Sequence, residues 1–347
     1  MLVLKACSKH AIHRGLPDEA KACQPSRNIS ALLWNPCALG VRRRSREQPI
    51  VANMIIITTP TGAIGHQVLE SILRSDEPIR VIARDPSRLP SSARERIEVV
   101  QGSHKDAAVV NEAFAGGDAV FWLVPPDPRA TTVDAAYLDF TRPACAAFKT
   151  QGIKRVVGIS ALGRGTPAAA HAGLVTASLK MDDLIATTGV HYRAVTNPSF
   201  MDNLLRQVES IKNQGIFSLP ISGDLTQPSA CTRDIAATAA QLLLDQSWSG
   251  VGSVPVLGPE DLSYNDMATI MAEVLGKPVR FQEIAAEAFK ARLLQRGMSE
   301  AMAQANLDMW VAYGKGLDTA EPRTPQSTTP TSFRRWCEDV LKPRVMA

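Results

Sequence analysis

The chain has 347 residues, 45% of them hydrophobic and 5% aromatic, which is enough to bury a substantial core and to form two lobes of an enzyme-sized unit. Its net charge of +4 is unevenly placed: residues 1–53 carry nine Lys and Arg against three Asp and Glu, leaving 29 against 31 in the remainder. That balance in the body excludes nucleic acid as a partner, and the lack of any apolar run near the roughly 18 residues that span a bilayer excludes a membrane-spanning role.

The six cysteines, Cys7, Cys23, Cys37, Cys145, Cys231 and Cys337, are widely spaced and form no CxxC pair. Reduced thiols in a cytoplasmic compartment are expected, with no metal site. Residues 1–53 have little periodicity, several prolines and the basic patch Arg42-Arg-Arg-Ser-Arg46. They read either as an Arg-rich mitochondrial or other organelle transit peptide or as an extension outside the fold. Asp18 and Glu19 sit poorly with the first reading, and Met54, directly ahead of an apolar strand, favours the second.

Ile55, Ile56 and Ile57 are β-branched and uninterrupted by polar residues, as expected of a parallel strand buried on both faces. Ile64, Val68 and Ile72 then recur every fourth residue, which predicts a helix with one apolar face. Between strand and helix, Gly62 and Gly65 remove side chains where a diphosphate would approach backbone N–H groups and where helix and strand would pack tightly. Thr58, Thr59, Pro60, Thr61, Gly62, Ala63, Ile64 and Gly65 are therefore a candidate nucleotide cradle. Asp76-Glu77-Pro78 closes the helix and Ile79–Ala83 predicts a second strand. Arg84 follows at once, where NAD-preferring folds place a carboxylate, and Arg88 lies one helical turn on. These cations suit a 2′-phosphate, so NADP is expected in preference to NAD, although Asp85 is also placed to reach a ribose.

A third strand is predicted over Ile97–Gln101 and a helix capped by Asp106 that ends at Gly116-Gly117. A buried fourth strand over Ala119–Val124 runs into the rigid Pro125-Pro-Asp-Pro128. Next come a helix over about 133–150, a fifth strand Ile153–Ser160, a helix over 169–188 and a sixth strand Val190–Thr196. This alternation predicts an α/β fold, a doubly wound parallel sheet with right-handed crossovers. After Asn197-Pro198, helices over 232–246, 263–275 and 285–312 and strand-like Ile216–Leu219 and Val254–Leu257 predict a smaller α+β lobe that covers the substrate. Leu317–Thr331 reads as an irregular surface tail before a last helix over Phe333–Leu341. The expected plan is a leader (1–53), a Rossmann domain (54–198), the covering lobe (199–317) and a tail (318–347).

From residue 54 to about 285 the chain resembles the NmrA-like family of atypical short-chain dehydrogenases. The family motif Thr-Gly-x-Thr-Gly-x-x-Gly is met by Thr58 to Gly65, with Thr59 at the first glycine. The resemblance implies NAD(P) contacts from the cradle, Arg84, Arg88, Val124, Lys180 and Pro198. It implies catalytic roles for Ser160 and Lys180, with Thr176 in the place of the family's tyrosine; the plainer alternatives are a strand-end hydroxyl and an exposed helix lysine. Ser103 stands where an acidic residue commonly helps hold the adenine. Pro198, Phe200 and Asn203 match a segment beside the nicotinamide, which puts Phe200 and Asn203 in the substrate pocket.

The function implied is an NAD(P)H-dependent oxidoreductase that reduces a small carbonyl, enone or quinone, as in secondary metabolism. The alternative is a non-catalytic redox sensor that binds NAD(P). Thr176 favours the sensor, whereas an apolar pocket lined by Trp122, Phe200 and the second lobe favours the enzyme.

Overall fold

The computed structural model describes residues 53–347, so both readings of the leader lie outside the described residues. Six strands arise where the apolar runs predict them: β1 (Ile55–Ile57), β2 (Ile79–Ala83), β3 (Ile97–Gln101), β4 (Ala119–Trp122), β5 (Arg155–Ala161) and β6 (His191–Asn197). The helices between them are α1 (Gly65–Ile72), the short α2 (Ser91–Arg94), α3 (Ala107–Phe114), α4 (Phe140–Thr150) and α5 (Leu174–Ala186). Beyond β6 come β7 (Ser199–Phe200), α6 (Val208–Gln214), β8 (Ile216–Leu219), β9 (Gln227–Ala230), α7 (Thr232–Leu244), β10 (Val251–Pro255) and β11 (Asp261–Leu262). The chain finishes with α8 (Tyr264–Leu275), β12 (Arg280–Glu283), α9 (Ala286–Gln295), α10 (Glu300–Gly314), α11 (Phe333–Trp336) and α12 (Lys342–Met346).

Seven parallel strands form the central sheet in the order β10-β6-β5-β4-β1-β2-β3. Alternate residues of β1 feed opposite faces. Ile55 and Ile57 pack with Val68, Leu69 and Ile72 of α1 and Ala236, Ala239 and Leu243 of α7. Ile56 packs on the other side with Phe114, Phe148, Met181 and Ile185 from α3, α4 and α5. All three isoleucines are fully buried, and burial of each such side chain contributes about 1.5–3 kcal/mol.

Four expectations need correction. The segment read as Val254–Leu257 in the covering lobe supplies instead the seventh strand of the central sheet, because Val251–Pro255 pairs in register with Tyr192–Thr196. The helix read over 285–312 is two: Gly297 adopts φ 82°, which ends the first, and the Ser299 side chain accepts from Met302 N to start the second. Asp106 stands at the start of α3, but its side chain makes no capping bond. Finally, Leu317–Thr331 is irregular without being a surface tail. Leu317, Ser327 and Thr331 are buried, and Thr331 donates from N and Oγ1 to the Asp234 carboxylate at 3.0 and 2.7 Å.

The second lobe carries two small sheets, β11-β9-β7 and β12-β8. Its core gathers Phe217, Tyr264 and Trp310 with Phe333, Trp336 and Leu341 of the C-terminal segment. The C-terminus is thereby built into the wall that faces the sheet's carboxyl edge.

Candidate functional site

At the end of β1 the Thr58 hydroxyl donates to Phe121 O at 2.9 Å and accepts from Leu123 N at 3.4 Å, which ties the first turn to the exit of β4. The turn closes with Gly62 N donating to Thr59 O at 3.0 Å. Gly65 lies against this turn so closely that a Cβ there would stand 1.9 Å from Thr59 O. At Gly62 the corresponding contact would be an ordinary 3.4 Å. The tight helix–strand approach therefore rests on Gly65. Among the described residues, the start of α1 has no side-chain cap, no backbone carbonyl accepts from the amides of Ala63, Ile64 or Gly65, and Thr59 Oγ1 is buried without a partner.

Thr58 to Gln67 line one side of a cleft of about 1950 Å³. Arg84 and Arg88, Ser103 to Lys105 and Leu123 to Pro128 continue the wall along the sheet edge. Phe200, Asn203, Leu205, Arg206 and the C-terminal residues Trp336, Val340 and Arg344 face them from the second lobe. This volume exceeds the roughly 300–1,000 Å³ of a single-ligand pocket, so a dinucleotide and a second molecule fit together.

Arg84 and Arg88 are exposed on the cleft, and neither forms an ion pair among the described residues. Asp85 is occupied elsewhere. Its carboxylate accepts from Ser87 Oγ at 2.6 Å and Ser87 N at 3.0 Å, and these bonds hold its pKa below the usual value. The neighbouring acid is thus turned to its own backbone turn, away from a ribose.

One lining residue escaped sequence reading. His104 is buried beside Leu123 O, 3.0 Å from its Nε2, and meets the rings of Trp122 and Phe140 edge-on with centroids 5.2 and 4.8 Å away. A carbonyl only accepts, so Nε2 carries the proton. Burial pushes the ring's pKa down to about 4 and keeps it neutral. Its place directly after Gly102-Ser103, at the carboxyl edge of β3, was the available signal. Trp122, in contrast, is fully buried in the core behind His104 and does not line the cleft.

The expected catalytic pair is not in the cleft. Ser160 is buried between β5 and α5, and its hydroxyl donates to Asp182 Oδ2 at 2.5 Å. Tyr192 OH donates to the other oxygen at 2.6 Å and Arg164 lies 3.5 Å away. Burial pushes the Asp182 carboxyl up to about 6 despite these donors. The buried acid recruits the serine because a desolvated carboxylate needs every donor within reach. Lys180 is exposed, 3.4 Å from Asp134, and shares a separate recess of about 420 Å³ with Thr176 and His171. Thr176 is engaged locally, donating to Ala169 O at 2.7 Å and accepting from Ala172 N at 2.9 Å. Pro198 is buried at the end of β6, off the cleft wall. The cradle, Arg84, Arg88, Val124, Phe200 and Asn203 do share the cleft.

A family model described as NAD(P)H-binding matches residues 60–246. The chain belongs to this NAD(P)H-binding family. It is 30% identical over 289 residues, 82% of this chain and 96% of the relative, to the (4-alkanoyl-5-oxo-2,5-dihydrofuran-3-yl)methyl phosphate reductase of Streptomyces griseus. It is 26% identical to the NAD(P)H azoreductase of Xenophilus azovorans, covering 74% of this chain and 86% of the relative. In fold it is similar to the NADPH-dependent quinone oxidoreductase of Escherichia coli complexed with NADPH. That likeness has a TM-score of 0.64 and 24% identity, and covers 79% of this chain and 97% of the other.

The cofactor of the NAD(P)H-binding family fits the residues present. The amides at the start of α1 that no described carbonyl takes, and the orphaned Thr59 hydroxyl, are donors of the kind a diphosphate uses, and Gly65 permits the close turn that holds them. The NmrA-like resemblance thus holds for the fold. Among the described residues, no helix is long and apolar enough to cross a membrane.

Proposed function

We propose that the protein is an NADPH-dependent reductase of small conjugated acceptors, such as quinones, enones or azo compounds. The observation that carries this reading is the cleft itself, which runs from a nucleotide cradle to an apolar wall and whose described lining contains neither tyrosine nor Lys180. Bound NADPH supplies the hydride. Reduction of a simple ketone leaves a localised alkoxide that calls for a positioned acid, the part played by the tyrosine of short-chain dehydrogenases. Hydride addition to a conjugated acceptor leaves a delocalised anion, which takes its proton from water. The protein's contribution is then orientation: Phe200 and Leu205 supply the apolar wall and Asn203 a polar edge. The printed names of the relatives, a dihydrofuranone phosphate reductase and an azoreductase, support acceptors of this kind.

NADPH is preferred over NADH in this reading. Arg84 and Arg88 would hold the 2′-phosphate by charge-assisted hydrogen bonds, and Asp85, bonded to Ser87, leaves that place to them. The test is titration of the purified protein with each nucleotide, followed by NADPH consumption across a panel of quinones, enones and azo dyes. Tight NADPH binding with turnover is expected. Binding without turnover on any acceptor would move the reading to the sensor, and absence of binding would overturn both.

A further inference from the structure

Several arginines of the second lobe have an acidic partner. Arg233 pairs with Asp339 at 3.3 Å, Arg335 with the same carboxylate at 2.9 Å, Arg323 with Asp261 and Arg334 with Glu273. Arg206 and Arg344 do not: neither forms an ion pair among the described residues, yet both line the cleft. They come from different parts of the chain. Arg206 follows the buried Met201 and Leu204 in the turn leading to α6, and Arg344 lies exposed on α12, before the buried Val345. α6, which follows Arg206, packs against α12, and both arginines line the cleft from the second lobe.

The acids nearby are already used. Asp202 accepts from Thr232 N and Oγ1, both at 2.9 Å, and Asp339 is shared by Arg233 and Arg335. Val340 O takes one N–H of Arg344 at 2.8 Å, which fixes the side chain and leaves its other donors free. Phe200 and Leu205 line the same cleft. The second lobe's wall therefore presents apolar side chains and two fork-shaped donors that have no acidic partner among the described residues, facing the wall that carries Arg84 and Arg88.

We propose that Arg206 and Arg344 form an oxyanion subsite for the substrate, so that the reductase acts on acceptors with a conjugated apolar body and a phosphate, sulfonate or carboxylate at one end. This rests on the reductase reading of the same cleft. Guanidinium forks match such groups bidentately, and two forks on one wall orient the acceptor as well as attract it.

The experiment compares matched naphthoquinones carrying a sulfonate, a carboxylate or neither, in the wild type and in Arg206→Gln, Arg344→Gln and the double variant. The wild type favours the anionic acceptors in kcat/KM. Each substitution lowers the anionic-to-neutral ratio about tenfold or more, mainly through KM, and Arg206→Lys restores part of it. The larger loss among sulfonate and carboxylate identifies the preferred oxyanion. Calorimetry of naphthalene sulfonate binding to NADP-loaded protein gives the same order without turnover. A wild type with no anionic preference, or variants that lose both acceptors equally, would overturn the subsite. Failure of the wild type to bind NADPH would instead bring down the reductase reading and the proposal with it.

Discussion

The Ser160 hydroxyl donates to Asp182 Oδ2 at 2.5 Å inside the packing between β5 and α5, so a residue expected to serve chemistry serves a buried carboxyl. Ser160→Ala should cost about 1–3 kcal/mol in stability, because Asp182 loses a donor that burial prevents water from replacing. Denaturant unfolding measures this. Turnover of the folded variant should persist, and a loss of about 100-fold or more would return Ser160 to the reaction.

Lys180→Ala should change stability by no more than about 0.5 kcal/mol, since its partner Asp134 is 3.4 Å away and both side chains are more than half exposed. NADPH affinity and turnover should also survive, because the amine lies on a recess separate from the cleft. Titration and steady-state kinetics on one preparation test both statements.

Gly65 and Gly62 should part company. Gly65→Ala puts a methyl group 1.9 Å from Thr59 O and displaces the turn, with a stability loss of about 1–3 kcal/mol and NADPH affinity reduced at least tenfold. The methyl of Gly62→Ala meets only a 3.4 Å contact, so the variant should fold as the wild type does. Thermal melts with and without nucleotide separate the two.

Removal of the arginine charge at the edge of β2 should erode the preference for NADPH. Arg84→Ala and Arg88→Ala should each weaken NADPH about tenfold or more and leave NADH nearly unchanged, as loss of one charge-assisted hydrogen bond to phosphate requires. Equal loss for both nucleotides would show that the arginines do not read the 2′-phosphate.

Asp318 makes stability depend on pH. It is buried, and burial, only partly opposed by the Ser199 backbone N–H, pushes its pKa up to about 8, against about 3.9 in the unfolded chain. The folded state holds a proton that the unfolded state releases across that window. The contribution is therefore full below about pH 3.9 and is lost as pH rises through about 8. Asp182, pushed up to about 6, acts in the same direction over the lower part of the window. Asp318→Asn should flatten the profile and exceed the wild type in stability near pH 8 by more than about 1 kcal/mol. Urea unfolding across the range checks the sign.

The central sheet was legible in the chain because most of its strands are short local runs rich in apolar and β-branched residues. Ile55 to Ile57 and Ile79 to Ala83 declare themselves without any knowledge of their neighbours. So did the cradle, since a diphosphate turn needs its glycines within a few residues of one strand end. Val251–Pro255 was harder to place: a short strand with Gly252 and Ser253 reveals its sheet only through its pairing with β6.

The sequence by itself determined the α/β alternation, the nucleotide turn and the arginines beside it, because each is a property of residues within one helical turn or one strand of each other. Tertiary structure alone decided where Ser160, Lys180, Arg206 and Arg344 lie and what surrounds them. Asp182 lies 22 residues from Ser160 and Arg344 lies 138 from Arg206, and nothing in local spacing says that one pair meets in the core and the other shares a wall. A side chain's role depends on which groups desolvation forces it to satisfy, and that is settled only when distant segments pack together.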